Sequence, residues 1–147
     1  MNIVLRASAV LWAIWGVFHL SLGSLLIFIS QEYPVGVFES VPELVEFELF
    51  GMANRLAVIG SLKQLVFNLA WVGAAVTIGS VYIWKKNAHA IFFCAILGGL
   101  SDLGYFLFID LPGFADPPGP QMTYICIAAI ASSFFVYFKS DRLKALG

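Results

Sequence analysis

His19 and Asp102 are the two side chains of this sequence that could exchange a proton from inside long apolar stretches. A carboxyl buried in hydrocarbon must be protonated or paired. Ionisable groups at such depth mark functional sites by default. With ~1.5 Å of rise per residue, counted from the nearest basic flank, His19 lies ~20 Å deep and Asp102 ~24 Å. Trp71, Tyr124 and Asn68 fall at ~21, ~22 and ~26 Å on the same scale, with Gln64 higher still. That layer could hold a ligand. His19 would be the general acid/base, with Asp102 tuning or sharing its proton. Gln64 and Asn68 would orient a polar head, Trp71 would stack on an apolar body, and Tyr105 and Tyr124 would complete the ligand-binding set.

Four apolar stretches must position these groups, at about 7–29, 56–84, 88–109 and 122–138. Each approaches or exceeds the ~20 residues that cross a ~30 Å hydrocarbon core as a helix. Apolar residues are 61% of the chain and charged residues 12%. A soluble domain holds about 45–50% and about 25%, so composition alone points to a membrane protein. The expected fold is all-α: one integral membrane domain over residues 1–147, a four-helix transmembrane bundle. The first stretch is too long for the h-region of a signal peptide and reads as a retained helix.

Charge sets the expected orientation. Arg6, Lys85, Lys86, Lys139, Arg142 and Lys144 share one side of a chain that crosses four times, whereas Glu32, Glu39, Glu43, Glu46, Glu48, Asp110 and Asp116 share the other. Basic flanks mark the cytoplasmic side, so both termini are expected there. The expected location is a bacterial inner membrane or an equivalent plasma membrane. Ser40-Val41-Pro42-Glu43 has capping-box spacing and predicts a short outer-surface helix before the second span. The loop with Pro112, Pro117, Pro118 and Pro120 predicts a rigid non-helical turn over 110–121. Lys85-Lys86-Asn87 makes spans two and three antiparallel neighbours.

Small and polar residues recur at helical spacing within the spans. They are Ser8, Trp12, Trp15, His19, Gly23 and Ser30 on the first; Asn54, Ala57, Ser61, Gln64, Asn68, Trp71 and Ala75 on the second; and Ala88, Ala95, Gly98, Asp102 and Tyr105 on the third. Such faces pack membrane helices together, so all three are expected to point into the bundle. Cys94 and Cys126 differ in depth by ~8 Å and read as unpaired buried thiols. No spacing suggests a metal or cofactor, and no basic cluster suggests nucleic acid.

His19 together with Asn68-x-x-Trp71 is similar to the pocket of membrane sterol isomerases of the emopamil-binding type, which set a His and an Asn-x-x-Trp pair beside carboxylates. The resemblance covers only these residues and lacks the second helical carboxylate. It implies proton chemistry on a hydrophobic substrate.

The leading reading is a small membrane protein whose polar pocket, in the outer half of the bundle, binds a hydrophobic molecule such as an isoprenoid, sterol or quinone. Whether it also transforms that molecule as an enzyme stays open. The alternative is an accessory or structural subunit of a larger membrane complex or homo-oligomer. The expected partners are lipid, a hydrophobic small molecule, and a membrane protein or second copy.

Overall fold

The computed structural model describes residues 2–32, 52–114 and 117–145. It is a bundle of four helices, α1 (Asn2–Glu32), α2 (Met52–Trp84), α3 (Ala88–Tyr105) and α4 (Gly119–Ala145), with no strand among the described residues. A π-helical turn, Phe106–Asp110, extends α3. Segments long and apolar enough to span a membrane run over Ile3–Phe28, Ile59–Trp84, Ala88–Asp110 and Gly119–Lys139. The expected surface helix near residues 40–50 lies outside the described residues.

Local chemistry explains the two turns. Lys86 takes a positive φ of 67°. Its N–H bonds the Ile83 carbonyl at 2.8 Å, and the Asn87 N–H bonds the Tyr82 carbonyl at 3.0 Å. This pair of bonds is a Schellman ending for α2. The Asn87 side chain then accepts from the His89 N–H at 2.9 Å and caps α3. Asn87 thus ends one motif and caps the next helix. The second turn corrects an expectation. Pro120 was placed in a non-helical loop, but it lies in the first turn of α4, where a missing N–H costs nothing.

Neighbouring helices run antiparallel. The Arg6 guanidinium lies 5.1 Å from the Trp84 ring, which joins the start of α1 to the end of α2. Lys85 sits 5.8 Å from the Tyr82 ring and Lys139 5.7 Å from the Phe135 ring. The Ser8 and Ser133 hydroxyls bond each other, so the start of α1 and the later part of α4 lie together at the basic end of the bundle, with the Lys85–Lys86 turn.

Close packing of α1 on α2 depends on glycine. A Cβ at Gly73 would meet the Leu20 amide and lie 2.7 Å from the Gly16 carbonyl oxygen, and one at Gly23 would lie 2.6 Å from the Ala70 amide. Trp12 and Trp15 fill the centre, fully buried, edge to face at 6.3 Å and 78°. They reach across to α3, where Gly98 leaves room for the Trp12 ring: a Cβ there would lie 2.6 Å from it.

Candidate functional site

Trp15 organises the buried polar centre. Its indole N–H donates to Asp102 Oδ1 at 3.2 Å, while its ring stacks on His19 at 3.8 Å between centroids, 25° apart. His19 Nδ1 lies 2.8 Å from the Trp15 carbonyl. A carbonyl can only accept, so Nδ1 carries the proton and Nε2 is the basic atom of the neutral ring. Trp15 and His19 are one helical turn apart, which places the carbonyl of one beneath the imidazole of the other. His19 and Asp102 thus both contact Trp15. The partner of Asp102 is a correction: it is Trp15, and the two titratable groups meet through that indole.

Helix α4 closes the centre. The Cys126 thiol borders the Asp102 carboxyl, and Thr123, one turn away, shares that face of α4. Asp102 Oδ2 and Thr123 Oγ1 are buried and make no well-formed hydrogen bond among the described residues; the thiol of Cys126 beside the carboxyl is only a weak donor. Asp102 is 6% exposed and Thr123 5%. Buried polar atoms are nearly always bonded, so each of these two orphans calls for a partner. Cys94 and Cys126 are both free and buried, as expected.

The backbone changes character just beyond Asp102. The Phe106 N–H is shared between the Asp102 and Leu103 carbonyls, and the π-helical turn starts there. Inserted π turns are rare and concentrate at functional sites.

A second buried cluster lies nearer the basic end. The Ser8 and Ser133 hydroxyls bond each other. The Trp12 N–H donates to Ser133 Oγ at 3.1 Å, and Ser8 also reaches the Ala129 carbonyl at 3.4 Å. Every polar atom there is satisfied, so this cluster fastens α1 to α4.

The inward faces expected on α1 and α3 are largely seen: Ser8, Trp12, Trp15, His19, Gly23, Gly98 and Asp102 are buried. Ala95 and Tyr105 are half-buried, and Ala88 is exposed. The face expected on α2 is a correction. Ala57, Ser61, Gln64, Asn68 and Trp71 are exposed, and α2 buries the roughly opposite side: Val66, Ala70, Gly73, Val76, Ser80 and Ile83. Packing against α1 decides this, because only the Ala70–Gly73 side admits the close approach of Gly16 and Gly23. The Trp71 N–H donates to Asn68 Oδ1 at 3.0 Å on the outer surface. Asn68 and Trp71 therefore do not line a pocket with His19, and the isomerase-like arrangement is not assembled within the chain. Tyr124 is 68% exposed. The Tyr105 hydroxyl packs on Gly119 at the start of α4.

Three members of the centre, Trp15, Thr123 and Cys126, were not among the expected site residues. Trp15 carried a signal, being one turn from His19 on the same inward face. Thr123 carried none, since hydroxyls in spans commonly bond their own backbone, as Ser132 does. No groups of three or more His, Cys, Asp or Glu among the described residues could hold a metal ion. Comparison with known protein families, with curated proteins and with solved structures finds no match to this chain.

Proposed function

We propose that this small membrane protein binds a hydrophobic molecule, isoprenoid-, sterol- or quinone-like, by its polar head at the Asp102 centre. One observation carries the reading: among the described residues, Asp102 Oδ2 and Thr123 Oγ1 are buried polar atoms without a well-formed hydrogen bond. Leaving such a group unbonded in an apolar medium costs several kcal/mol at the upper end, roughly. A ligand hydroxyl, which donates to Oδ2 and accepts from Thr123, removes that cost, as does a ligand carbonyl when the carboxyl is protonated and donates to it. Trp15 holds Oδ1 and so aims the second carboxyl oxygen at the ligand. The π turn beside Asp102 supplies locally irregular backbone on the side away from the basic end.

Acid–base chemistry is a possible extension of this binding role. Asp102 and His19 are not bonded to each other, so a proton would pass between them by way of the bound molecule. The orientation we propose puts the basic end in the cytoplasm of a bacterial inner membrane or equivalent plasma membrane. Its support is the placing of Arg6, Lys85 and Lys139 towards one end by the Arg6–Trp84 and Ser8–Ser133 contacts.

Purification in mild detergent followed by mass spectrometry tests the binding reading. The expected result is one hydrophobic molecule with a hydroxyl or carbonyl head, close to one per chain. Protein that carries only bulk phospholipid, in proportion to detergent, would overturn it.

A further inference from the structure

The outward face of α2 is unlike the rest of the surface. α1 presents Val10, Ile14, Val17 and Leu25 outward, and α3 presents Phe93, Ile96 and Leu100; the polar residues exposed beside them, Ser21, Ser24 and Ser101, carry single hydroxyls and no carboxamide. α2 presents Ala57, Gly60, Ser61, Gln64, Asn68 and Trp71 on one exposed stripe. A Cβ at Gly60 would meet nothing within 4 Å, so another helix can approach closely there.

We propose that this stripe is the docking face for a second copy of the chain, α2 against α2. Within the protomer, Ser61 is satisfied by the Ala57 carbonyl at 3.0 Å, and Trp71 by Asn68 Oδ1. The Gln64 carboxamide and the Asn68 amide N–H groups have no protein partner among the described residues. At ~1.5 Å per residue Asn68 lies ~26 Å from Lys85, inside a ~30 Å core, so lipid tails surround it in a monomer. Polar side chains at such positions bridge helices, and small residues admit them.

The chemistry of the stripe selects the partner. A carboxamide is both donor and acceptor, and so complements its own copy. Two identical membrane chains of one orientation can be related by a two-fold axis along the bilayer normal. Equal depths then face each other: Gln64 and Asn68 meet Gln64 and Asn68, and each bond forms twice. This inference stands apart from the ligand reading, because none of these residues belongs to the Asp102 centre.

Disulfide cross-linking in native membranes tests it. Cys94 and Cys126 are buried, so the wild-type chain serves as the blank. The Asn68→Cys variant should cross-link to twice the 16.1 kDa chain mass, because facing Cα atoms within about 7 Å can be bridged. Ile127→Cys, exposed on α4, should not. The Gln64→Leu/Asn68→Leu variant should weaken self-association in vesicles, read by energy transfer between labelled copies, about tenfold. Three results would overturn the proposal: no cross-link at 68, equal cross-linking at 127, or a cross-link at 68 only to a protein of different mass. Unchanged energy transfer in the double variant would overturn it as well.

Discussion

Gly73→Leu is expected to stop α1 and α2 from docking and to give the largest loss of stability of any single change in the bundle. The added Cβ would collide with backbone on three residues of α1, Gly16, His19 and Leu20, and backbone cannot step aside as a side chain can. Overpacking a side-chain contact costs about 1–3 kcal/mol, and a backbone contact more. Gly98→Leu should come second, since its Cβ strikes only the Trp12 ring. That ring is fully buried, however, and has no empty space to rotate into. Leu97→Ala trims a half-buried side chain and should cost least. Thermal unfolding in one detergent should rank them in that order. Equal midpoints for Gly98→Leu and Leu97→Ala would show that α3 is turned differently in the bundle.

Trp15→Phe is expected to destabilise the bundle through the Asp102 carboxyl more than through lost packing. It removes the indole N–H and leaves Oδ1 as a further orphan beside Oδ2. Stranding a buried acceptor costs about 1–3 kcal/mol, and more if it is charged. Asp102→Leu removes the acceptor altogether, so in its presence Trp15→Phe should cost much less. The coupling in this double-mutant cycle should fall at about 0.5–3 kcal/mol. Additive effects would mean that the indole and the carboxyl do not act as a pair. His19→Ala strips the ring stacked on Trp15 and should couple to Trp15→Phe in the same way.

Much of the bundle was legible in the sequence because lipid constrains helices so strongly. Span positions and the short Lys85–Lys86 turn follow from length and hydropathy. The inward faces of α1 and α3 also follow, since each helix has one stripe of small and polar residues. α2 has two. One side carries Ala70, Gly73, Thr77 and Ser80, and the other Ala57, Ser61, Gln64 and Asn68. The rule that small and polar residues seek helices applies to both, and periodicity cannot say which helix each one finds. Steric fit to Gly16 and Gly23 settles it in the fold. Depth counting likewise put His19 and Asp102 at one level but could not show that Trp15 mediates between them. That depends on the rotamer of a large ring, which spacing does not carry. Pro120 was assigned to a loop on composition, although the first turn of a helix accepts proline.

Whether a ligand completes the Asp102 centre is decided most directly by extracting wild type, Asp102→Asn and Thr123→Val side by side and weighing the bound molecules by mass spectrometry. Asp102→Asn keeps an oxygen for the Trp15 N–H and turns the second acceptor into a donor. Thr123→Val keeps the shape and removes the hydroxyl. Both variants should fold, and each should lose the molecule by about tenfold or more, the equivalent of one hydrogen bond of about 1.4 kcal/mol or stronger. Retention of the same molecule at the wild-type ratio in both variants would contradict a ligand at this centre.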